Sequence, residues 1–328
     1  MKIKVIGCGN AFSHKSFNQS FLLEEDGRTM LIDCGLQVPE ALENAGVDFK
    51  KIDDIYISHL HSDHIGGLEY FAFSRYDWLN KPRNVQNDEN SNAPTIIANK
   101  QLLEDLWNKS LRGGLESMEG FVSNINTFFK TFPVEPNFSF HWKGWDVSLI
   151  QQIHIMSGSV IMPSFGIMFR QHKHKTVYFV TDSQHCSPRQ IEDFYKEADM
   201  IFQDSEFTGV NMRLGEGTEY FDFEGDIRVF EKDSMDWLTA VAAEVKMDKW
   251  KRFQFGSGVH ANYAQLAGYP SANSIHLSDE IRSKMWLSHY QDFVLENKDM
   301  FGNVVDWKKE ISNDGFAGIV ELGQEFEV

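Results

Sequence analysis

The chain has 328 residues, is 42% hydrophobic and carries a formal net charge of −17. That is enough apolar material for one large domain, and no apolar run approaches the ~20 residues a membrane helix needs. The acidic balance disfavours a large nucleic-acid partner, which is met with basic patches, but allows a small anion whose charge metal ions neutralise locally.

Three cysteines, Cys8, Cys34 and Cys186, are too few for a disulfide framework and read as buried thiols of a reduced compartment. The chain runs into a strand at residues 3–6 with no signal-peptide pattern, so a cytoplasmic protein is expected. Further strands are predicted at 20–23 and 29–32, joined by an Asp26-Gly27 turn flanked by apolar runs. A short helix at 39–44 should end at Gly46 in a left-handed cap. An apolar strand follows at 52–57, then a helix to about residue 73. Residues 80–94 are polar and bounded by prolines, which marks a loop.

A strand at 95–98 precedes two amphipathic helices, at 100–111 and 115–129, read from apolar residues at helical spacing. Strands are expected at 147–153, 165–170, 176–180 and 200–202. A helix at 188–198 has Ser187 as N-cap and Pro188 in its first turn. Residues 207–234 are aromatic and acidic without clear periodicity. Helical segments follow at 237–246 and from His260 to Ala267, then strands at 285–288 and 318–322. The expected organisation is a single domain over 1–328, with an insertion at about 207–256 and a C-terminal extension at about 294–328.

The chemistry concentrates after the 52–57 strand, in His59-Leu60-His61-Ser62-Asp63-His64. Neutral imidazoles and a carboxylate suit zinc, manganese or iron. His59 and His61 alternate and can point one way, while Asp63 and His64 begin the next turn and point another, so one loop could serve two metals. His154, Asp182, Asp204 and His289 also follow short apolar runs, and strand ends on one edge of a sandwich converge. His14, His141, His172, His174, His185 and His276 read as surface or helix-cap groups.

The His59–His64 run resembles the His-x-His-x-Asp-His motif of the metallo-β-lactamase superfamily, in its ribonuclease Z-like phosphodiesterase branch. Leu31-Ile32-Asp33-Cys34-Gly35 resembles the end of that family's N-terminal hairpin. The resemblance implies a four-layer αββα sandwich of the α/β (α+β) class. It implies one divalent ion on His59, His61 and His154, a second on Asp63, His64 and His289, and Asp182 bridging both. Zn2+ is the expected metal, with Mn2+ as the alternative. Ile201 to Phe207 and Gly258 to Asn262 are similar to the segments that carry the branch's proton-donating pair, which implies Asp204 orienting a general acid, His260. Asp204 stands where the family has glutamate, and Gln203 where it has histidine.

An acid that protonates the leaving oxygen suits phosphodiester cleavage by a metal-activated water. Ribonuclease Z enzymes that process transfer RNA carry a long arm, whereas here only 27 residues separate His154 from Asp182 and read as a hairpin. Residues 256–265 and 285–293 look most like phage anti-Pycsar phosphodiesterases, similar armless members. They imply hydrolysis of cyclic mononucleotides to linear monophosphates by a homodimer, antagonising defence signalling. Tyr220, Phe221, Phe223, Phe230 and Trp237 could cap the site and stack a base. The competing readings are a ribonuclease Z-like endonuclease on structured RNA, a non-catalytic nucleotide-sequestering protein of the same fold, and a lactonase or other acyl hydrolase.

Overall fold

The computed structural model describes residues 1–76, 84–88, 91–157, 160–171, 174–183, 188–207, 218–223, 226–231, 250–253, 259–268, 277–300 and 302–328. Strands β1 (Lys2–Gly7), β2 (Ser20–Glu25), β3 (Arg28–Ile32), β4 (Asp54–Tyr56) and β5 (Thr95–Asn99) come first. A small hairpin, β6 (Ser117–Met118) and β7 (Phe121–Val122), precedes β8 (Lys130–Val134) and β9 (Ser139–Trp142). Then come β10 (Trp145–Ser157), β11 (Val160–Arg170), β12 (Thr176–Phe179) and β13 (Met200–Asp204). The last are β14 (Thr218–Phe223), β15 (Asp226–Glu231), β16 (Trp250–Phe253), β17 (Met285–Ser288), β18 (Gly318–Ile319) and β19 (Glu325–Glu327).

Two seven-stranded sheets form the centre, in the orders β19-β1-β2-β3-β4-β5-β8 and β18-β17-β13-β12-β11-β10-β9. Their strands alternate by face, as period-two geometry requires. On β3, Met30 and Ile32 join the core between the sheets, while Leu31 joins the outer core under the helices. Ile96 and Ala98 of β5 face outward and Ile97 inward in the same way. The outer core is closed by Val38 and Leu42 of helix Val38–Asn44, Leu68 and Phe71 of helix Leu68–Arg75, and Leu102 of helix Lys100–Asp105. On the second sheet, Tyr178 turns outward to meet Tyr195, the rings tilted and their centroids 5.7 Å apart. This is an αββα sandwich.

Aromatic rings lock the two sheets together. Phe21 of β2 lies 5.1 Å from Phe179 and 4.9 Å from Phe202 on the opposite sheet, and Phe179 stacks on Phe202 at 4.8 Å. Phe326 of β19 closes the group at 5.2 Å from Phe202. The last part of the chain thus contributes to both sheets: β18 extends one and β19 pairs antiparallel with β1 on the other.

Several elements differ from the sequence reading. The helix predicted at 115–129 is instead the β6/β7 hairpin and a short helix, Ile125–Phe128. Gly120 adopts φ 84°, and Asn124 with Thr127 forms a capping box, so local turn and cap chemistry overrides the apolar spacing. The aperiodic 207–234 stretch contains β14 and β15, which form a separate three-stranded sheet with β16. The helix predicted at 237–246, with Trp237, lies outside the described residues, as do Ser187 and the side chains of Tyr220, Phe221, Phe223 and Phe230. The Asp26-Gly27 hairpin turn has φ of 46° and 69°, both left-handed as a tight turn demands.

Phe202→Ala removes the ring shared by Phe21, Phe179 and Phe326. We expect a loss of roughly 3–5 kcal/mol in unfolding free energy and a lower Tm by calorimetry; an unchanged Tm would contradict the inter-sheet role.

Candidate active site

Strands β12, β13 and β17 run parallel, and β3, β4 and β5 run parallel in the other sheet, so their C-terminal ends deliver loops to one edge. His59 follows β4, Asp182 follows β12, Asp204 ends β13 and His289 follows β17. His61 is the N-cap of the four-residue helix Ser62–Ile65, which carries Asp63 and His64. That helix approaches the loop after β3 very closely. A Cβ on Gly35 would lie 1.9 Å from the Asp63 carbonyl oxygen, so only glycine allows the approach.

His154 was expected after its strand but sits within β10. The register between β10 and β11 shifts between Ile153 and Met156, a bulge that re-aims a side chain without ending the strand. His289 has φ 62°, a left-handed backbone rare for a non-glycine residue, and its N–H donates to the Cys8 carbonyl at 2.8 Å.

The structure brings the seven sequence-predicted ligand residues together in two clusters. In the first, the His59 Nε2 and His61 Nδ1 atoms are 2.9 Å apart, and His154 Nε2 is 3.1 Å from the same His61 nitrogen. Asp182 Oδ2 lies 3.6 Å from both His59 and His154 Nε2. In the second, Asp63 Oδ2 lies 3.3 Å from His64 Nε2 and 3.3 Å from His289 Nε2. The other Asp182 oxygen, Oδ1, is 3.3 Å from His64 Nε2 and 3.4 Å from His289 Nε2. Asp182 therefore offers one oxygen to each cluster.

This donor set suits divalent cations. Nitrogen and carboxylate atoms within 4.8 Å of one another, mostly on buried residues, point at common centres. His64 Nε2 and Asp182 Oδ1 are fully buried and, though 3.3 Å apart, are not aligned as a hydrogen bond, a costly arrangement unless an ion satisfies them. The opposite ring nitrogens are held as ligand imidazoles usually are. His64 Nδ1 meets Asp33 Oδ2 at 2.8 Å, His59 Nδ1 meets Ser58 Oγ at 3.1 Å, and His154 Nδ1 meets the Val259 carbonyl at 2.7 Å.

The electrostatics divide the imidazoles into two groups. Burial pushes His59 well below its ordinary pKa, and lowers His61 and His154 as well, so these rings are neutral donors. Burial also opposes charge on His289, but Asp182, then Asp204 and Asp63, outweigh it and raise its pKa to about 10. His64 is raised in the same way, by Asp182, Asp63 and Asp33 against burial. For Asp63 and Asp182 the burial cost is overcome by neighbouring imidazoles, chiefly His64 and His289, and both stay ionised. A concentration of buried carboxylate charge needs positive partners, whether protons or metal ions.

Asp204 and His260 meet beside the clusters. His260 Nδ1 is 2.9 Å from Asp204 Oδ2, which also accepts the Ser183 N–H at 3.0 Å. Asp204 Oδ1 lies 3.2 Å from His289 Nδ1. One carboxylate thus touches both a candidate ligand and the His260 ring. Asp204 is fully buried, whereas the His260 side chain is 19% exposed.

Asp33 had no assigned role in the sequence reading. It has φ 59°, accepts the Ser58 N–H at 2.8 Å and Oγ–H at 2.6 Å, and holds His64. The available signal was the one used elsewhere, an acidic residue directly after an apolar strand. The remaining histidines sit away from the clusters where they are described. His141 Nδ1 is 3.1 Å from Asp146 on an exposed hairpin, and the His14 N–H donates to Asp292 at 2.6 Å. His172, His185 and His276 lie outside the described residues. Cys8 and Cys34 are buried free thiols, and Cys186 also lies outside the described residues. No helix among the described residues is long and apolar enough to cross a membrane.

Comparisons with known proteins agree with this architecture. The metallo-beta-lactamase fold protein YhfI from Bacillus subtilis superposes with a TM-score of 0.59 at 16% identity, covering 100% of this chain and 99% of that one. An anti-Pycsar protein Apyc1 from Paenibacillus harenae is 36% identical over 170 residues, 52% of this chain and 64% of the relative. That alignment spans less than two thirds of the relative's own length. A second Apyc1, from Bacillus phage 010DV004, is 30% identical over 240 residues, 70% of this chain and 87% of the relative. Residues 1–220 match the family model described as anti-Pycsar protein Apyc1. The chain has the metallo-β-lactamase fold and belongs to the anti-Pycsar protein Apyc1 family.

Proposed function

We propose that the protein is a metal-dependent phosphodiesterase that hydrolyses cyclic mononucleotides to linear monophosphates. The observation that carries this reading is the Asp204–His260 pair at 2.9 Å, placed against two clusters that share Asp182. His59, His61 and His154 would hold one divalent ion, Asp63, His64 and His289 a second, and Asp182 both; Zn2+ is the leading candidate and Mn2+ the alternative. Ions there would supply Lewis acidity, lowering the cost of the charge that builds on a phosphodiester under attack.

The chain's own residues account for the proton. Asp204 fixes the His260 ring through Nδ1, which leaves Nε2 to carry a proton to the leaving oxygen. Burial disfavours a charged His260, but Asp204 and then Asp182 outweigh it and hold the pKa above its ordinary value. The ring is thereby kept as an acid, which an alkoxide leaving group requires and an acyl substrate does not. Asp63 and Asp182 stay ionised as oxygen donors. Asp33 positions His64 and is a positioning residue, not a catalytic one.

A small substrate is favoured over structured RNA by what joins His154 to Asp182. That segment has 27 residues, and its described residues form the β10/β11 hairpin and β12, far short of a long arm. The family name carried by the relatives points to the same substrate class. On this reading the protein acts in a host cytoplasm as an antagonist of cyclic-nucleotide signalling, and it pairs as a homodimer.

Three measurements test the proposal. Metal-loaded protein incubated with a panel of cyclic mononucleotides, and separately with precursor transfer RNA, should convert the former to monophosphates; cleavage of the RNA alone contradicts the assignment. His260→Ala should lower kcat by roughly 10²–10⁴ while metal content is retained, and a lactonase-like enzyme would show little change. Asp33→Ala should weaken metal binding by roughly 10–100-fold in a chelator competition, and undiminished affinity would remove its role in holding His64.

A further inference from the structure

The N-terminal ends of the same parallel strands, remote from the metal ligands, form a second recess. β4 begins at Asp54 and its chain reaches the His59 loop five residues later, so the two edges are separated by roughly 16 Å of strand. A pocket of about 470 Å³ opens here, lined among others by Arg28, Lys50, Arg75 and Lys130. Four cations in one pocket stand out in a chain of net charge −17. Asp53 is the one carboxylate among the described lining residues; it accepts the Thr29 N–H at 2.9 Å and its charge acts on Arg28 and Arg75, leaving the four cations in excess.

The fold holds the two guanidiniums in place and leaves the two ammoniums without an ion pair among the described residues. Arg28 donates Nε and Nη2 to the buried Asp54 at 2.6 and 2.7 Å, which orients its guanidinium and leaves Nη1 over. Arg75 is fixed by the Phe49 and Ile52 carbonyls at 3.1 and 2.6 Å and by that of Asn92. Lys130 Nζ donates to the Ser91 carbonyl at 3.0 Å, and among the described residues neither Lys50 nor Lys130 forms an ion pair. An Arg75 guanidinium held by backbone carbonyls, beside two ammoniums with no ion pair among the described residues, is a donor set that suits a phosphate dianion.

A second compartment of about 350 Å³ adjoins the first, with Arg28 and Thr95 lining both. Its wall is aromatic: Phe132, Phe140 and Trp142. Phe132 is 42% exposed on the edge strand β8, 5.3 Å from the Phe140 ring. Trp142 is anchored by its indole N–H to Asp54 at 2.9 Å, the carboxylate that also holds Arg28. A solvent-facing ring beside a cationic pocket suits a flat heterocycle joined to a phosphate. Both volumes fall within the range of small-molecule sites.

We propose that this groove is a second, non-catalytic binding site for a nucleoside monophosphate, with the phosphate among Lys50, Arg75 and Lys130 and the base against Phe132 and Phe140. The proposal is independent of the reaction assigned to the metal centre. It is tested by photolabelling the full, metal-loaded chain with 8-azidoadenosine monophosphate and mapping the labelled peptides. Label is expected within residues 130–143, suppressed by adenosine monophosphate but not by adenosine at equal concentration. Lys50→Glu combined with Lys130→Glu should weaken labelling about tenfold through charge reversal. Phe132→Ala, on an exposed side chain, should independently weaken it by roughly tenfold. Metal content should be unchanged in both variants. Label confined to peptides around the metal ligands, labelling of the variants equal to wild type, or inorganic phosphate competing as well as adenosine monophosphate would each overturn the site.

Discussion

The Asp182 carboxylate is buried among five imidazoles, at 3.3 to 3.8 Å from His59, His64, His154, His260 and His289. A carboxylate so far from water is stable only if positive charge meets it, and each of its oxygens faces a different group of nitrogens. The rest of the architecture can be read as the means of bringing those nitrogens to it. Two sheets must end at the same edge, one contributing the His59–His64 loop and the other contributing Asp182, Asp204 and His289. The Phe21, Phe179, Phe202 and Phe326 contacts hold the sheets in that relation.

Convergence has local costs. Asp33 and His289 both adopt left-handed backbones, which non-glycine residues rarely do, and they lie on opposite sheets around one cluster. Each is tied by more than one contact: Asp33 through Ser58 and His64, His289 through Cys8, Asp63 and Asp204. Dense bonding makes such strain tolerable. Asp204 then extends the network outward, from a candidate ligand on one side to the partly exposed His260 on the other, linking the buried cluster to a group that can exchange a proton.

Much of this was visible in the residues. The Asp26-Gly27 turn, the strand preceding the histidine run and the helix capped by Gly46 all rest on local chemistry, and local chemistry is what a sequence displays. The candidate ligands stood out because each polar residue follows an apolar run. Other features depend on contacts that no single stretch displays. The 115–129 segment has helical apolar spacing, yet Gly120 and the Asn124 cap divide it. The bulge that turns His154 inward arises from the mismatch between β10 and β11. Asp33 acts on a residue 31 positions away, and the pairing of β19 with β1 joins the two ends of the chain. The basic and aromatic groove assembles from the starts of β3, β4, β5 and β8 together with β9 of the other sheet, and was equally hidden.

The claim on which the account turns is that one carboxylate holds two cations. Anomalous diffraction from crystals of the metal-loaded protein, collected on either side of the metal absorption edge, tests it directly. The account predicts two peaks flanking Asp182, one among His59, His61 and His154 and the other among Asp63, His64 and His289. A single peak, or peaks that do not contact Asp182, would contradict it.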